Sequence, residues 1–269
     1  MYSGDPNGGG ASRKSVTAAC EHSLRRLQTD YIDLYWMHCW DRFTPIEETM
    51  RALDDLVAAG KIRYIGFSDT PAWKVAQAQV MAKMCGWTPL IALQLEYSLL
   101  QRTIEGELVP AALELGLGIT PWSPLKSGML TAKYTRDNAA ASNPTRGAFV
   151  SRAFHEDAFK VVDVLKNIAD QIGTTPARVA LAWVRSQAGV ASTIIGARTV
   201  DQLLDNLGAL DIELSPEHSK VLDEASRPNL NFPYDFVRNA AGFGYSGATV
   251  NGVTAPVNPL SPVSDAERY

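Results

Sequence analysis

The stretch Lys61-Ile62-Arg63-Tyr64-Ile65-Gly66-Phe67-Ser68-Asp69-Thr70-Pro71 decides the fold. Its first half is a run of β-branched and aromatic residues suited to a pleated, half-buried strand. Its second half is a polar turn ending in a Thr-Pro pair, which reads as a helix start with Thr as cap and Pro at the first helical position. A strand that passes directly into a helix is half of a βαβ unit, the building block of a parallel sheet wrapped by helices.

The module recurs on both sides. Upstream, Tyr31-Ile32-Asp33-Leu34-Tyr35-Trp36-Met37 reads as a strand, Thr44-Pro45-Ile46-Glu47 as a capping box, and Gly60 as the left-handed residue ending that helix. Before it, Gly8-Gly9-Gly10 leads to Ser12, which caps a helix running to about Leu27 with Val16, Ala19, Cys20, Leu24 and Leu27 as one apolar stripe. Downstream come a helix from Thr70-Pro71 to near Gly86, a strand over Leu90–Leu95, a helix over Glu105–Leu115 and a strand over Gly118–Pro121. A polar loop spans Ser123 to Arg152, followed by the helix Phe154–Ile172 and another opened by Thr175-Pro176. Then follow a strand at Ser192–Ile195, the helix Val200–Leu207 and a last helix from Ser215-Pro216. From Asn229 onward Gly, Pro, Asn and Ser appear without a period, which reads as surface loop. The length of 269 residues suits an eight-stranded α/β barrel, although only about five strands are legible.

Composition narrows the function classes. Hydrophobic residues make up 46% and charged residues 20%, enough to bury a sizeable core and to exclude disorder as the dominant state. No apolar stretch approaches the roughly 18 residues of a membrane span. The net charge of -4 argues against a broad nucleic-acid-binding surface but leaves room for a basic cluster holding one phosphate. Cys20, Cys39 and Cys85 form no CxxC pair, which suits reduced thiols better than disulfides or zinc, and no metal is expected. Met1–Asp5 is polar and carries no apolar leader, so a cytoplasmic location is expected.

Several strand ends carry polar residues where barrel enzymes place their chemistry: His38, then Ser68 and Asp69, then Gln94, then Trp122, then Gly196-Ala197-Arg198-Thr199. In this order the chain resembles the aldo-keto reductase superfamily. The resemblance rests on "SLRRLQTDYIDLYWMH", "PIEETMRALDDLVAAGKIRYIGFSD", "LQLEYSLL", "GLGITPWSPLKSGMLTAKY" and "IIGARTVDQLLDNL", and covers roughly residues 10–230. The long loop after Trp122 is most similar to the aryl-alcohol-dehydrogenase-like and potassium-channel beta-subunit branches.

The resemblance implies a (β/α)8 TIM barrel that binds NADP(H) and reduces aldehydes or ketones. The expected form is amino-terminally truncated, with about five of eight strands, occupying residues 1–231 and followed by a carboxy-terminal loop over 232–269. His38 matches the family's catalytic histidine, which donates a hydrogen bond to the substrate carbonyl oxygen. The family's catalytic Asp, Tyr and Lys fall before this sequence begins, so a non-catalytic NADP-binding regulatory protein, or an inactive fragment, is the alternative.

Cofactor positions carry over residue by residue. Ser68, Asp69 and Gln94 match groups that bond the nicotinamide carboxamide, with Asp69 standing where the family usually has Asn. Trp122 matches the aromatic under the nicotinamide. Ser123, Leu125, Ser127 and Gly128 match the loop around the pyrophosphate, with Lys133 and Arg136 supplying charge. Gly196, Ala197, Arg198, Thr199, Gln202 and Asn206 match the adenosine end, where Arg198 suits a 2′-phosphate.

Plainer readings accompany these. Strand alternation puts Tyr35 and Cys39 on the face opposite His38, Cys39 as a packed thiol. Trp36, Trp40, Trp87 and Trp183 read as packing or rim residues, with Trp40 able to line the substrate mouth. Phe232, Tyr234 and Phe236 suggest flat or aromatic carbonyl substrates. A sheet lacking strands leaves open edges and an uncovered face, so a homo-oligomer or poor solubility is expected.

Overall fold

The computed structural model describes residues 8–138, 154–262, 264 and 266. The chain divides into two compact units, Met1–Pro228 and Asn229–Tyr269.

In the first unit, α1 (Arg13–Leu27) precedes β1 (Ile32–Met37), α2 (Ile46–Ala58), β2 (Ile62–Ser68), α3 (Ala72–Cys85), β3 (Leu90–Glu96), α4 (Leu108–Glu114) and β4 (Gly118–Trp122). Four helices follow: α5 (Glu156–Gln171), α6 (Pro176–Arg185), α7 (Val200–Leu207) and α8 (Pro216–Ala225). The strands pair in parallel in the order β1-β2-β3-β4, and the sheet does not close on itself among the described residues. Ile65, Phe67, Leu93, Leu95 and Ile119 are buried and join Met50 and Leu53 of α2 and Val75 and Ala82 of α3 in one core. Alternate residues on the opposite face, among them Trp36, Tyr64, Gln94 and Thr120, are partly or fully accessible. The Trp36 ring lies so close over Gly66 that a Cβ there would stand 2.4 Å from it.

The fifth strand expected at Ser192–Ile195 does not form. Residues 189–194 run along β4 instead, with Ile119 N–H donating to Gly189 O, Ala191 N–H to Ile119 O and Ile194 N–H to Pro121 O. Pro121 has no N–H to offer this edge. The offset between donor and acceptor therefore slips by one residue between the last two bonds, and the ladder ends.

The helix starts divide into two kinds. Thr175 and Ser215 cap α6 and α8 as expected, accepting from Arg178 N and His218 N. Thr44 and Thr70 do not cap. Thr44 Oγ1 donates to Asp41 Oδ2 at 2.6 Å and Thr70 Oγ1 to Ser68 O at 3.0 Å, and Pro45 and Pro71 become the cap residues themselves. The helix expected over Glu105–Leu115 is split into a 3-10 turn at Thr103–Glu105 and α4. Pro110 explains the break, since in a helix continuous from Glu105 its ring would meet the carbonyl of Gly106.

A half-buried polar cluster ties the loop after β3 to α6 and α8. Arg102 donates to both carboxylate oxygens of Glu105 (2.7 and 3.1 Å) and to Ser226 Oγ (2.7 Å). Its guanidinium lies 4.8 Å from the Trp183 ring centroid. Tyr97 donates to Glu105 at 2.8 Å, and the Trp183 indole N–H to Asp223 at 3.0 Å.

In the second unit, read above as loop, α9 (Tyr234–Asn239) and α10 (Ala241–Tyr245) precede a two-stranded antiparallel ribbon of β5 (Thr249–Val250) and β6 (Val253–Thr254). Asn251 and Gly252 turn it, with φ of 50° and 79°. An Asn-Gly pair is the strongest short hairpin signal, because both turn residues must be left-handed.

Candidate active site and cofactor cavity

At the carboxyl ends of the strands, register aligns the expected polar groups. Ser68 pairs with Gln94 and Gln94 with Thr120, while Met37 pairs with Phe67, which brings His38 to the level of Ser68. One row therefore runs His38, Ser68, Gln94, Thr120 across four adjacent strands, with Trp122 two residues above. Asp69 is left-handed at φ 42°, a conformation that Asp tolerates better than most side chains. Its Oδ1 accepts the Trp122 indole N–H at 3.1 Å and its Oδ2 accepts from Ser68 Oγ at 3.4 Å. Asp69, standing where the family usually has Asn, thus holds the Trp122 ring through an acceptor oxygen.

The thiol of Cys39 departs from expectation. Alternation ends with β1 at Met37, and Cys39 adopts a left-handed φ of 64°. It is exposed, with its sulfur 3.8 Å from His38 Nδ1. Partial desolvation of the thiol by its neighbours, then the Asp69 carboxylate, push its pKa up, which disfavours the thiolate. Neither nearby tyrosine faces the row. Tyr35 donates to Val16 O of α1 at 3.5 Å, and burial raises its pKa to about 12. Tyr97 is buried against Trp183, and burial together with Glu105 pushes its pKa up.

Beyond Trp122 the chain enters a cavity of about 710 Å³, within the usual range for small-molecule sites. Ser123, Leu125, Ser127, Gly128 and Lys133 form one wall, and Gly196, Ala197, Arg198, Gln202 and Asn206 the other. The first wall bends through four left-handed residues, Ser123, Lys126, Ser127 and Gly128, with φ of 54°, 45°, 54° and 93°. Lys126 Nζ anchors it to Glu96 Oε1 at 2.6 Å. On the second wall, Arg198 N–H donates to Gln202 Oε1 at 2.9 Å, and Asn206 Nδ2 to Gly196 O at 3.4 Å. Asp205 also lines the cavity, but Arg178 Nε holds it at 2.8 Å. Among the described residues, Lys133 and Arg198 have no carboxylate in ion-pair range.

Two expected residues lie in neither group. Thr199 caps α7, accepting from Gln202 N–H. Arg136 is taken up by Glu156 (2.8 Å) and Asp163 (3.0 Å). Sequence reading missed Thr175, Pro176 and Ala177, which line the cavity from the start of α6. The Thr-Pro cap marked that start, yet nothing local indicates that it faces the loop after β4. The part of that loop over residues 139–152 lies outside the described residues. Among the described residues no three His, Cys, Asp or Glu side chains converge on a metal site, and no helix is long and apolar enough to cross a membrane.

A parallel α/β sheet with polar side chains gathered at its strand ends, beside a cationic cavity, defines the architectural class. The description Aldo/keto reductase family matches residues 2–227, and the chain belongs to that family. It is 36% identical over 229 residues to a protein of Phanerodontia chrysosporium named aryl-alcohol dehydrogenase (NADP(+)), covering 84% of this chain and 60% of that one. It is 38% identical over 225 residues to the "Uncharacterized oxidoreductase YrpG" of Bacillus subtilis, covering 82% of this chain and 68% of the relative. A protein of Oryza sativa subsp. japonica named "Probable voltage-gated potassium channel subunit beta" is 36% identical over 219 residues, 79% of this chain and 67% of its own. The chain thus spans 60–68% of the length of these relatives.

Proposed function

We propose that the chain belongs to a cytoplasmic NADPH-dependent oxidoreductase that reduces aldehydes or ketones. The observation that carries this reading is the cavity holding Lys133 and Arg198, two cations without carboxylate partners among the described residues, contiguous in sequence through Ser123 with the strand-end row. Such a donor set fits a phosphorylated dinucleotide. Arg198 offers a planar fork to a 2′-phosphate, Lys133 a point charge to the pyrophosphate, and the Gly128 backbone admits close approach. The left-handed run is the kind of backbone strain that gathers at ligand loops. Ser68, Gln94 and Trp122 would hold the nicotinamide end, where the cofactor supplies a hydride when bound. His38, exposed at the head of the row, would donate a hydrogen bond to the carbonyl oxygen and stabilise negative charge developing there. Three free cysteines support the cytoplasmic assignment.

A second reading, a dinucleotide-binding protein without turnover, is favoured by Tyr35 and Tyr97 both being bonded away from the row. Carbonyl-dependent loss of NADPH absorbance separates the two. Turnover abolished by His38→Ala supports reduction, and saturable NADPH binding without turnover supports the second reading.

A further inference from the structure

Just beyond Lys133 the chain is locked to α5. Arg136 Nε and Nη2 donate to the two carboxylate oxygens of Glu156 at 3.1 and 2.8 Å, and Nη1 donates to Asp163 Oδ2 at 3.0 Å. Exposed ion pairs ordinarily contribute little, but a two-pronged arginine contact joined to a second carboxylate is the arrangement that does contribute. The same guanidinium stands 5.2 Å from the ring centroid of Phe159, which is buried on α5. Arg136, Glu156 and Asp163 all stand outside the described lining of the cavity.

From Phe159 a stack of rings leads back to that lining. Phe159 and Phe154 are stacked at 6.3 Å, Phe154 and Tyr134 meet at 5.4 Å, and Lys133 Nζ lies 5.0 Å from the Tyr134 centroid. Lys133 Nζ also stands 2.8 Å from where a Cβ on Gly128 would be, so the ammonium lies over the left-handed bend of the wall.

The backbone makes a second link. Asn138 closes the turn that contains Arg136, its Nδ2 donating to Lys133 O at 3.1 Å and its Oδ1 accepting from Thr135 N–H at 2.7 Å. Arg136 and Lys133 are thus joined twice, through this turn and through three aromatic rings. A lysine already laid on a ring loses less side-chain freedom on meeting a ligand than a free one does.

We propose that Arg136 is a positioning residue for the cavity: clamped to α5, it holds the Tyr134 ring against Lys133 and so fixes the ammonium toward an anionic ligand. Arg136 itself does not touch the ligand. The inference rests on the dinucleotide reading for the ligand's identity. It carries a sign of its own. Removing Glu156 and Asp163 would by charge alone strengthen an anion in a cationic cavity, and so would freeing Arg136 to reach a phosphate. Loss of the clamp predicts the opposite.

The test titrates the full chain and its variants with NADPH, followed by tryptophan fluorescence, and reads backbone hydrogen exchange over residues 126–135 without ligand. The paired change Glu156→Gln/Asp163→Asn is expected to weaken NADPH about fivefold although it removes two negative charges, and Arg136→Ala to weaken it by a similar factor. In a Lys133→Ala background, Arg136→Ala costs less than about twofold, because the group it positions is gone. Exchange over 126–135 quickens in Arg136→Ala while β3 is unaffected. Tighter or unchanged binding in the paired variant, equal losses from Arg136→Ala in both backgrounds, or unchanged exchange would overturn the proposal. If the unaltered chain binds no NADPH, the dinucleotide reading fails, and the exchange result alone decides whether Arg136 holds the wall.

Discussion

The wall of the cavity between Ser123 and Lys133 takes its shape from left-handed backbone, whereas the row His38, Ser68, Gln94, Thr120 takes its shape from strand register. The row stands on four paired strands, so exchanging one of its side chains leaves the others in place. The wall depends on the conformation of individual residues, so one substitution can move several contacts. On the proposed function, chemistry that needs exact spacing would sit on the sheet, and wrapping of an extended ligand would fall to the loop.

The largest expected effect strikes both halves at once, because both depend on the same frame. Arg102→Ala leaves the half-buried Glu105 beside Tyr97 without its cation, at a cost of about 2–3 kcal/mol. Urea unfolding should show a lower midpoint with an unchanged slope. A loss below about 1 kcal/mol would show that the cluster does not support the frame.

Arg198→Ala separates the halves. Removing a charge-assisted pair to phosphate should weaken NADPH by about 1.5–3 kcal/mol, roughly ten- to hundredfold, with little change for NADH. Equal losses for both cofactors would place Arg198 away from the 2′-phosphate.

Alkaline pH probes the core beneath. Tyr35 has its pKa raised by burial to about 12, and Tyr97 is also pushed up by burial and by Glu105. The unfolded chain releases these protons near pH 10 while the folded one keeps them, so their contribution is full below pH 10 and is lost as pH rises toward 12. Tyr35→Phe should flatten the fall in stability over that window, measured by urea midpoints. A fall as steep as in the unaltered chain would sink the assignment.

Gly128→Ala sharpens the contrast between loop and sheet. At φ +93° alanine is strained, by about 1 kcal/mol, and its Cβ would press on Lys133 Nζ. NADPH affinity should fall more than stability does. Asp69→Asn is the mildest change, because an amide oxygen still accepts the Trp122 indole N–H. Less than about 1 kcal/mol of stability should be lost in thermal unfolding.

Much of this was readable in the chain because strand ends fix chemistry by position. His38, Ser68, Gln94 and Trp122 follow runs of branched and aromatic residues, and parallel register does the rest. What stayed hidden depends on tertiary competition. Thr44 and Thr70 look identical to Thr175 as caps, yet Asp41 and the Ser68 carbonyl capture their hydroxyls. Pro121 belongs to β4 as its sequence suggests, but nothing local says which edge its missing N–H faces. Strand alternation holds only to Met37, and the left-handed Cys39 reverses it. The Asn251-Gly252 turn is a local signal set within a stretch whose composition resembles loop.

The most direct test of the account is an NADPH titration of this chain followed by quenching of tryptophan fluorescence. Saturable binding, weakened at least tenfold by Arg198→Ala and also weakened by Trp122→Ala, is the result expected if cavity and strand-end row form one dinucleotide site. Binding unchanged in both variants, or none by folded protein, would contradict it.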